Sequence, residues 1–329
     1  MNAVGVVGAT GLVGETMIRV LQDRSFPMDS FHPFASDRSE GKTVRCMDSE
    51  YTVQIITPEA ISKGMLLFGA TSANIAKNWV PVCVNAGAVV IDNSSAYRMD
   101  PEVPLVVPEV NAEVIRGDER LIANPNCSTI QLVVALKPLL ALGGIMWVSV
   151  STYQAVSGAG ATALNELHGQ QSGVSAGKPG GRIHENIQTS IGEPGPGGHC
   201  GEEMKLMRET ARIMDMDLTV YAATARVPVR TGHTEAVVVK FCHPVDPAEA
   251  AAVLRRAPGV KVSERGAVPL DVENTDQVVV DRIRSHPGDP SVLQFWVLAD
   301  NLRKGAALNA VQIAEEYLRK RAGQNSGGR

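Results

Sequence analysis

The first third of the chain alternates short apolar runs with stretches of helical spacing. Runs typical of buried strands occur at residues 3–7, 31–36, 53–56, 66–69, 89–92 and 120–123. Helical spacing follows the first run, with Met17, Val20 and Leu21 on one face, and recurs over residues 72–86 despite Pro81. Alternating strands and helices predict an α/β fold, a Rossmann-like doubly wound parallel sheet.

The pattern changes after residue 128. A long alternating strand is predicted over residues 145–154, and β-rich runs follow at 218–229, 235–241, 278–283 and 292–298. Helices are predicted over 162–168, 201–214 and 246–256, and a last helix opens at Asn301. This mixture predicts an α+β domain with a mainly antiparallel sheet. Residues 218–229 and 235–241 read as a hairpin that places Arg226 and His233 on facing arms or at its tip.

These patterns predict two domains and a tail. A nucleotide-binding domain covers residues 1–127 and is completed by the helix over 301–321, a catalytic and dimerisation domain covers 128–300, and 322–329 form a flexible tail. The Gly/Pro/Ser-rich stretch 169–198 reads as a flexible surface excursion. Long alternating strands in the second domain predict an exposed sheet face that a second copy covers, hence a homodimer.

Length, charge and cysteine usage narrow the class of protein. A chain of 329 residues is too long for one ordinary core. A net charge of −4 gives no basic surface for nucleic acid. No apolar run reaches the roughly 18 residues of a membrane span, and the N-terminus lacks the basic start and cleavage site of a signal peptide. Five scattered cysteines without a CxxC pair indicate the reducing cytoplasm.

A glycine-rich turn between the first strand and the first helix predicts a dinucleotide site. Gly8, Gly11 and Gly14 have the spacing GxxGxxG. Glycines there let a pyrophosphate approach the backbone and the helix N-terminus. After the second strand, Arg38 beside Ser39 favours the 2′-phosphate of NADP, whereas Asp37 in an inward orientation would repel it. A solvated turn is the alternative for this segment.

Cys127 is the strongest candidate for chemistry. It follows the turn Asn124-Pro125-Asn126 and precedes a long helical pattern, so it lies at or next to a helix N-terminus. The helix dipole and free N–H groups favour a thiolate there and can stabilise an oxyanion. A buried cysteine that only packs is the alternative.

Other polar residues are candidates mainly through their context. Arg98 follows a strand's carboxyl end, where ligands bind in such sheets. Glu202 and Lys205 are three apart on one helix and share a face, which is usually a surface ion pair. His233 beside Arg226, in the domain that also carries Gln154, is a candidate general acid or base.

Several motifs in order resemble one family. They are residues 8–14 (GATGLVG), 35–39 (ASDRS), 93–98 (NSSAYR), 108–111 (PEVN), 124–129 (NPNCST), 152–160 (TYQAVSGAG), 202–205 (EEMK), 226–229 (RVPV), 232–235 (GHTE) and 300–307 (DNLRKGAA). The set resembles bacterial aspartate-semialdehyde dehydrogenases nearly end to end. The resemblance implies an NADP-dependent phosphorylating oxidoreductase that converts L-aspartyl 4-phosphate to L-aspartate 4-semialdehyde and phosphate through a cysteine thioester. That reaction belongs to lysine (through diaminopimelate), methionine and threonine biosynthesis.

The resemblance also implies roles for individual residues. Cys127 matches the nucleophile, His233 the general acid/base and Gln154 the residue that orients the acyl group. Arg226 matches the ligand of the substrate α-carboxylate and Glu202 the partner of its amino group, while Arg98 and Lys205 match the phosphate-binding pair. The positions that match cofactor contacts are Gly8, Thr10, Gly11, Leu12, Val13, Arg38, Ser39, Ser157, Gly158 and Asn301.

The stretch between His168 and His199 departs from the family pattern. It is shorter and richer in Gly and Pro than the family leads us to expect, which puts subunit contacts and the placement of Glu202 and Lys205 in question. His184, His199 and Cys200 lack a fourth ligand and regular spacing, so no metal site is predicted.

Two other functions stay open at this point. One is a reductase of another acyl phosphate, such as N-acetylglutamyl phosphate, although an acetylated substrate has no ammonium for Glu202. The other is a catalytically idle NADP-binding paralogue, although such a copy would not need Cys127, Gln154, Arg226 and His233 together.

Overall fold

A computed structural model describes residues 3–174 and 181–326, which divide into two compact units. Unit 1 comprises Met1–Pro125 and Ala306–Arg329, and unit 2 comprises Asn126–Gly305. The chain therefore leaves unit 1 in the turn just before Cys127 and returns to it within the π-helical turn Arg303–Ala307.

A five-stranded parallel sheet forms the centre of unit 1. Its strands are β1 (Ala3–Val7), β2 (Ser30–Phe34), β5 (Leu66–Gly69), β6 (Val89–Asp92) and β7 (Leu121–Ala123), in the order β2-β1-β5-β6-β7. The helices are α1 (Leu12–Asp23), α2 (Ala73–Asn85), α3 (Pro108–Asn111) and α8 (Leu308–Ser326). Apolar residues of α1 and α8 pack on one face of the sheet and those of α2 pack in a separate core with alternate strand residues. The predicted doubly wound sheet is confirmed.

One local prediction in unit 1 is wrong. No strand forms over residues 53–56: an antiparallel hairpin of β3 (Thr43–Cys46) and β4 (Ser49–Thr52) comes first, and Gln54 only bridges Phe34. The hairpin turns at Met47, whose φ of 52° is left-handed. Its two strands mix polar and apolar residues, so the apolar pattern did not predict them. In the predicted tail, α8 continues as far as Ser326, and the Gln324 side chain donates to the Arg116 carbonyl at 2.7 Å. Residues 327–329 lie outside the described range.

Unit 2 contains a six-stranded mixed sheet. Its strands are β8 (Ile145–Gln154), β9 (Thr219–Arg226), β10 (His233–Phe241), β11 (Val260–Ser263), β12 (Val278–His286) and β13 (Asp289–Ala299), in the order β11-β12-β13-β10-β8-β9. Three of the neighbouring pairs are antiparallel, whereas β8–β9 and β11–β12 are parallel. The helices are α4 (Cys127–Leu139), α5 (Ala161–Gln171), α6 (Gly201–Met214) and α7 (Pro247–Arg256).

The predicted hairpin between β9 and β10 is wrong. Both strands pair with β8, which lies between them. The connecting loop passes over the end of β8, where Val156 and Ser157 donate their N–H groups to the carbonyls of Val229 and Arg230. The long apolar β8 takes a partner on each edge, so Arg226 and His233 lie on either side of Gln154.

The last helix begins later than predicted. Asn301 lies in a turn in which Asp300 accepts hydrogen bonds from the N–H groups of Leu302 and Arg303, and regular helix starts only at Leu308. The described part of the 169–198 stretch has little regular structure but is anchored, because Ile183 is buried against Val156 and Leu167. Residues 175–180 of that predicted excursion lie outside the described range.

Candidate active site

Cys127 occupies the first position of α4 and is half-buried. The preceding residue, Asn126, caps the helix: its Oδ1 accepts from the N–H groups of Ser128 at 3.0 Å and Thr129 at 3.2 Å. The Asn126 backbone N–H in turn donates to Oε2 of the buried Glu209 at 2.7 Å. The turn before the cysteine is therefore fixed on both sides, and the sulfur lies where the helix dipole favours a thiolate.

Three predicted site residues lie side by side at one edge of the mixed sheet of unit 2. Gln154 ends β8 and is paired with Arg226, which ends β9. On the other side of β8, Thr234 pairs with Tyr153, so the adjacent His233 starts β10 beside Gln154. Residues paired across strands point to the same face, and all three side chains are buried there.

Glu202 belongs to this cluster and is buried. Its Oε1 accepts from Asn126 Nδ2 at 2.7 Å and Gln154 Nε2 at 3.2 Å, and its Oε2 accepts from Lys205 Nζ at 2.9 Å. Burial opposes ionisation, but the charge of Lys205 and these hydrogen bonds outweigh it and lower the pKa of Glu202. The pair predicted as a possible surface contact is thus a buried carboxylate with a half-exposed lysine.

The unusual residues before α6 still form a regular helix start, at Gly201. Cys200 caps the helix, and Glu203 at its third position accepts the Cys200 N–H at 3.0 Å. This capping box fixes the first turn, which carries Glu202.

His233 is fully buried and holds a defined tautomer. Its Nδ1 accepts the Ala155 N–H at 3.0 Å, so the neutral ring carries its proton on Nε2. Nε2 has no hydrogen-bond partner among the described residues. Burial, reinforced by the charge of Arg226, lowers the pKa of His233 to about 3. At neutral pH the ring is an uncharged donor that faces the cluster.

The low pKa of His233 predicts loss of stability in acid. The ring takes up a proton below pH 6.5 when unfolded but only near pH 3 when folded, so this stability is full above pH 6.5 and falls as the pH drops. We expect the free energy of unfolding to lose about 2 kcal/mol from this group between pH 8 and pH 5. The His233→Asn variant should lose that much less over the same range in urea titrations; an equal loss in both proteins would contradict the assignment.

Arg226 is a buried cation of this cluster. Its Nη1 donates to the Ala155 carbonyl at 2.7 Å. Burial lowers the pKa of Arg226, while the charges of Cys127 and Glu202 act in the opposite direction, so both lie within electrostatic range. Gly158 closes the group: a Cβ there would come within 3.0 Å of Arg226 Nη1 and 3.2 Å of His233 Nε2.

Two predicted cofactor contacts in unit 2 bond to each other. Asn301 Nδ2 donates to Ser157 Oγ at 2.8 Å, and Asn301 Oδ1 accepts the Gly232 N–H at 3.0 Å. Gly232 has φ of +94° and immediately precedes His233. Asn301 therefore also fixes the backbone that leads into the histidine.

The glycine-rich turn in unit 1 fits a pyrophosphate. Gly8 has φ of +90°, and a Cβ there would come within 2.5 Å of the Ala70 carbonyl oxygen. A Cβ at Gly14 would come within 2.1 Å of the Gly8 carbonyl oxygen. Leu12 and Val13 open α1, whose N-cap Gly11 supplies no side-chain hydrogen bond. No side chain caps this helix start, so its backbone N–H groups could bind a phosphate.

In the segment after β2, the side chains of Asp37 and Arg38 do not pair with each other. Asp37 is exposed, and its Oδ1 accepts the backbone N–H of Arg38 at 2.9 Å. The Arg38 guanidinium is exposed and has no ion-pair partner in residues 3–174 and 181–326. Thr10 Oγ1 bonds Ser39 Oγ at 3.2 Å, which joins this segment to the glycine-rich turn.

Arg98 lies in the loop after β6, as predicted, and is buried in unit 1. Its Nε donates to the Asn124 carbonyl at 2.9 Å and its Nη2 to the Asn93 carbonyl at 2.6 Å. Asp92, at the end of β6, lies in range of the guanidinium charge. Burial nevertheless raises the pKa of Asp92.

Two buried acids near the cysteine were missed. Glu209 lies seven residues after Glu202 on α6, two turns along the same face, and that spacing was a usable signal. Glu235 lies two residues after His233 on β10, where every second residue faces the core.

No group of three potential metal ligands occurs in the described parts of the chain. Their helices also include none long and apolar enough to cross a membrane.

Comparison with known sequences identifies two domain families. The semialdehyde dehydrogenase NAD binding domain matches residues 3–117, and the semialdehyde dehydrogenase dimerisation domain matches residues 136–304. The aspartate-semialdehyde dehydrogenase of Aquifex aeolicus is 45% identical over 95% of this chain and 96% of its own.

Solved structures extend the likeness to the fold. Aspartate semialdehyde dehydrogenase II of Vibrio cholerae, complexed with ASA, matches with a TM-score of 0.92 and 40% identity over 97% of this chain and 98% of its own. The Candida albicans aspartate semialdehyde dehydrogenase with NADP matches with a TM-score of 0.73 and 26% identity over 98% and 99% of the two chains.

Proposed function

Because the chain belongs to the aspartate-semialdehyde dehydrogenase family, we propose that it interconverts L-aspartyl 4-phosphate and L-aspartate 4-semialdehyde with NADP. The observation that carries the proposal is the buried group in unit 2, where Cys127 at a helix start lies in range of the Arg226 cation, with ionised Glu202 and neutral His233 beside it. In this role the enzyme serves lysine, methionine and threonine biosynthesis in the cytoplasm.

The charges of the cluster match those of an α-amino acid. Arg226 keeps N–H groups besides the one given to Ala155, and its planar fork suits the α-carboxylate. Glu202 is kept ionised by its surroundings and suits the α-ammonium. An N-acetylated substrate has no ammonium to offer this carboxylate, which disfavours the alternative acyl phosphate. The family pattern gives the phosphate to Arg98 and Lys205.

Cys127 forms the covalent bond. In the oxidative direction its thiolate adds to the aldehyde carbon, and the resulting oxyanion needs a hydrogen-bond donor. His233 provides one, because its Nε2 carries the proton while Ala155 holds Nδ1. After oxidation the acyl group is a thioester, and attack by phosphate breaks the C–S bond and returns the thiolate. Gln154, held by Ser128 and Glu202, orients the acyl group.

A bound nicotinamide supplies the hydride acceptor for this oxidation. The residues that would hold the cofactor are Gly8, Thr10, Gly11, Leu12, Val13, Arg38 and Ser39 in unit 1 and Ser157, Gly158 and Asn301 in unit 2. The steric need for glycine at position 8 and the polar pair Thr10–Ser39 fit that assignment.

Arg38 should decide between NADP and NAD. Its guanidinium is exposed, whereas the Asp37 carboxylate is turned to its own backbone. Removal of a charge-assisted bond to a phosphate costs about 1.5–3 kcal/mol, so Arg38→Ala should raise KM for NADP roughly 10- to 100-fold and leave KM for NAD within about 2-fold. Arg19→Ala, on the exposed side of α1, is the control. Equal effects on both cofactors would refute this role for Arg38.

A homodimer fits the exposed aromatic face of the unit 2 sheet. Tyr153 and Tyr221 are well exposed on β8 and β9, where Tyr221 contacts Trp147 and Tyr153 contacts Trp296. The matching family domain is described as a dimerisation domain, which supports the same assembly.

The reaction is tested by following reduction of NADP with L-aspartate 4-semialdehyde, with and without phosphate. Phosphate-dependent turnover with NADP well above that with NAD is expected. Folded protein that binds NADPH but turns over neither this aldehyde nor its N-acetylated glutamate homologue would instead indicate an idle paralogue. Turnover of the latter alone would reassign the substrate.

A further inference from the structure

Glu235 is a buried acid that the mechanism above does not use. It lies on β10 two residues after His233, is fully buried, and is paired with Thr152 on β8 and Val297 on β13. Neither carboxyl oxygen has a hydrogen bond of full geometry from the described residues. An ionised carboxylate in such a place would carry a large desolvation cost. Its protonation state therefore determines how this buried group is satisfied.

The two polar side chains that act on the carboxyl group come from α4. They are Ser128, next to the nucleophile, and Gln131, one turn further along; both act to lower the pKa of Glu235, but burial outweighs them. Gln131 Nε2 reaches toward the His233 carbonyl oxygen at 3.5 Å, and the Gln131 Oε1 acceptor has no partner among the described residues. Ser128 Oγ already accepts from Gln154 Nε2 at 3.1 Å, which leaves its O–H as a donor.

One protonation state satisfies both neighbours. A neutral carboxyl group has one O–H donor and one carbonyl acceptor. The donor suits the unpartnered Gln131 Oε1 and the acceptor suits the Ser128 O–H. An ionised carboxylate could only accept, and could not supply the donor that Gln131 Oε1 lacks. His233, two residues before it on β10, is neutral, and Glu202, which shares Gln154 with Ser128, is ionised.

We propose that Glu235 is a positioning residue which, as a neutral carboxylic acid, ties the first turn of α4 to the strand that carries His233. It donates to Gln131, which reaches the His233 backbone, and accepts from Ser128, which holds Gln154. A neutral acid also adds no negative charge beside the thiolate. Burial raises the pKa of Glu235 well above its ordinary value, which agrees with this state at neutral pH. The catalytic consequence rests on the proposed function, but the protonation state does not.

The protonation state is tested without any substrate. The infrared difference spectrum between wild type and Glu235→Gln should contain the carbonyl stretch of a protonated carboxyl group at pH 7.5. Because the unfolded carboxyl ionises whereas the folded one does not, stability from this group is lost as the pH rises. Glu235→Gln should therefore raise Tm more at pH 8 than at pH 5. Absence of the band, or a Tm gain independent of pH, would overturn the neutral state.

The positioning role is tested by kinetics in three variants. Glu235→Gln should keep kcat within about 3-fold, whereas Glu235→Ala should lower kcat by about 10- to 100-fold with KM nearly unchanged. In a Cys242→Ser background, which removes an exposed thiol, the pH midpoint for alkylation of Cys127 should not move in Glu235→Gln. Glu264→Gln, an exposed acid of the same unit, is the control.

These outcomes separate the two proposals. A Gln variant as impaired as the Ala variant, or a lowered alkylation midpoint, would show that a charge at residue 235 matters and would refute the role. If Glu235→Ala does not fold, the Gln comparison and the infrared band still decide. If the wild type is inactive toward the semialdehyde, the proposed function is refuted. The infrared, Tm and alkylation results would still decide the protonation state of Glu235.

Discussion

Cys127→Ser should lose phosphate-dependent oxidation of L-aspartate 4-semialdehyde by about 10⁴-fold or more, which is the order expected when the nucleophile of a covalent mechanism is removed. The serine hydroxyl has nearly the same size and the site is half-buried, so the fold should not change. A hydroxyl at this helix start is still almost wholly protonated at pH 8, because the dipole shifts a pKa by far less than the gap between an alcohol and a thiol. NADPH binding, measured by fluorescence titration, should match that of the wild type.

The matched control for this substitution is Cys242→Ser. That cysteine is exposed at the end of β10, away from the cluster, and its replacement should leave kcat and KM unchanged. Single-turnover experiments on the wild type should in addition trap acyl-enzyme when phosphate is omitted. Retention of more than about 1% of the activity in Cys127→Ser would be incompatible with a thioester route.

The sequence located the reactive parts of unit 2 better than their connections. Apolar period and turn residues predicted β8 and α6 with the bounds that the structure has, and placed Cys127 at or next to the start of α4. They paired β9 with β10, because local pattern favours the nearest strand in sequence. The partner of β9 is β8, about 70 residues earlier, and nothing in either strand's alternation specifies that register. Arg226 and His233 are close because β9 and β10 both pair with β8, and not because they form a hairpin.

Local sequence patterns predicted the burial of acidic side chains poorly. An i,i+3 pair of Glu202 and Lys205 is usually on the surface, yet tertiary packing buries Glu202 against Asn126 and Gln154. Glu235 gave a signal that went unused: it falls on the inward period of β10, with His233 and Val237. A charged residue in an inward position of a strand is an exception to normal patterning, and such exceptions concentrate at functional sites.

Replacement of His233 by Asn should lower kcat by about 10²- to 10³-fold, the usual cost of losing one oxyanion donor. The Asn Oδ1 can take the place of Nδ1 and accept the Ala155 N–H, so the backbone should be retained, but no group then replaces the Nε2 donor. KM for the semialdehyde should change little, because Arg226 and Glu202, the proposed ligands of the substrate's charged groups, are unchanged. Alkylation of Cys127 should stay within a few-fold of wild type, which separates loss of the donor from loss of the thiolate.

The pH profile of the same variant distinguishes a donor from a base. With a pKa of about 3, His233 does not titrate between pH 5 and pH 8, so any acid limb of kcat/KM in that range belongs to another group. His233→Asn should therefore lower the plateau of the profile and keep its acid limb at the same pH. A limb near pH 6.5 that disappears with the histidine would mean that His233 accepts the thiol proton. The Ala155 hydrogen bond to Nδ1 would then have to break before each turnover, because the same ring cannot carry a proton on Nδ1 and accept one there.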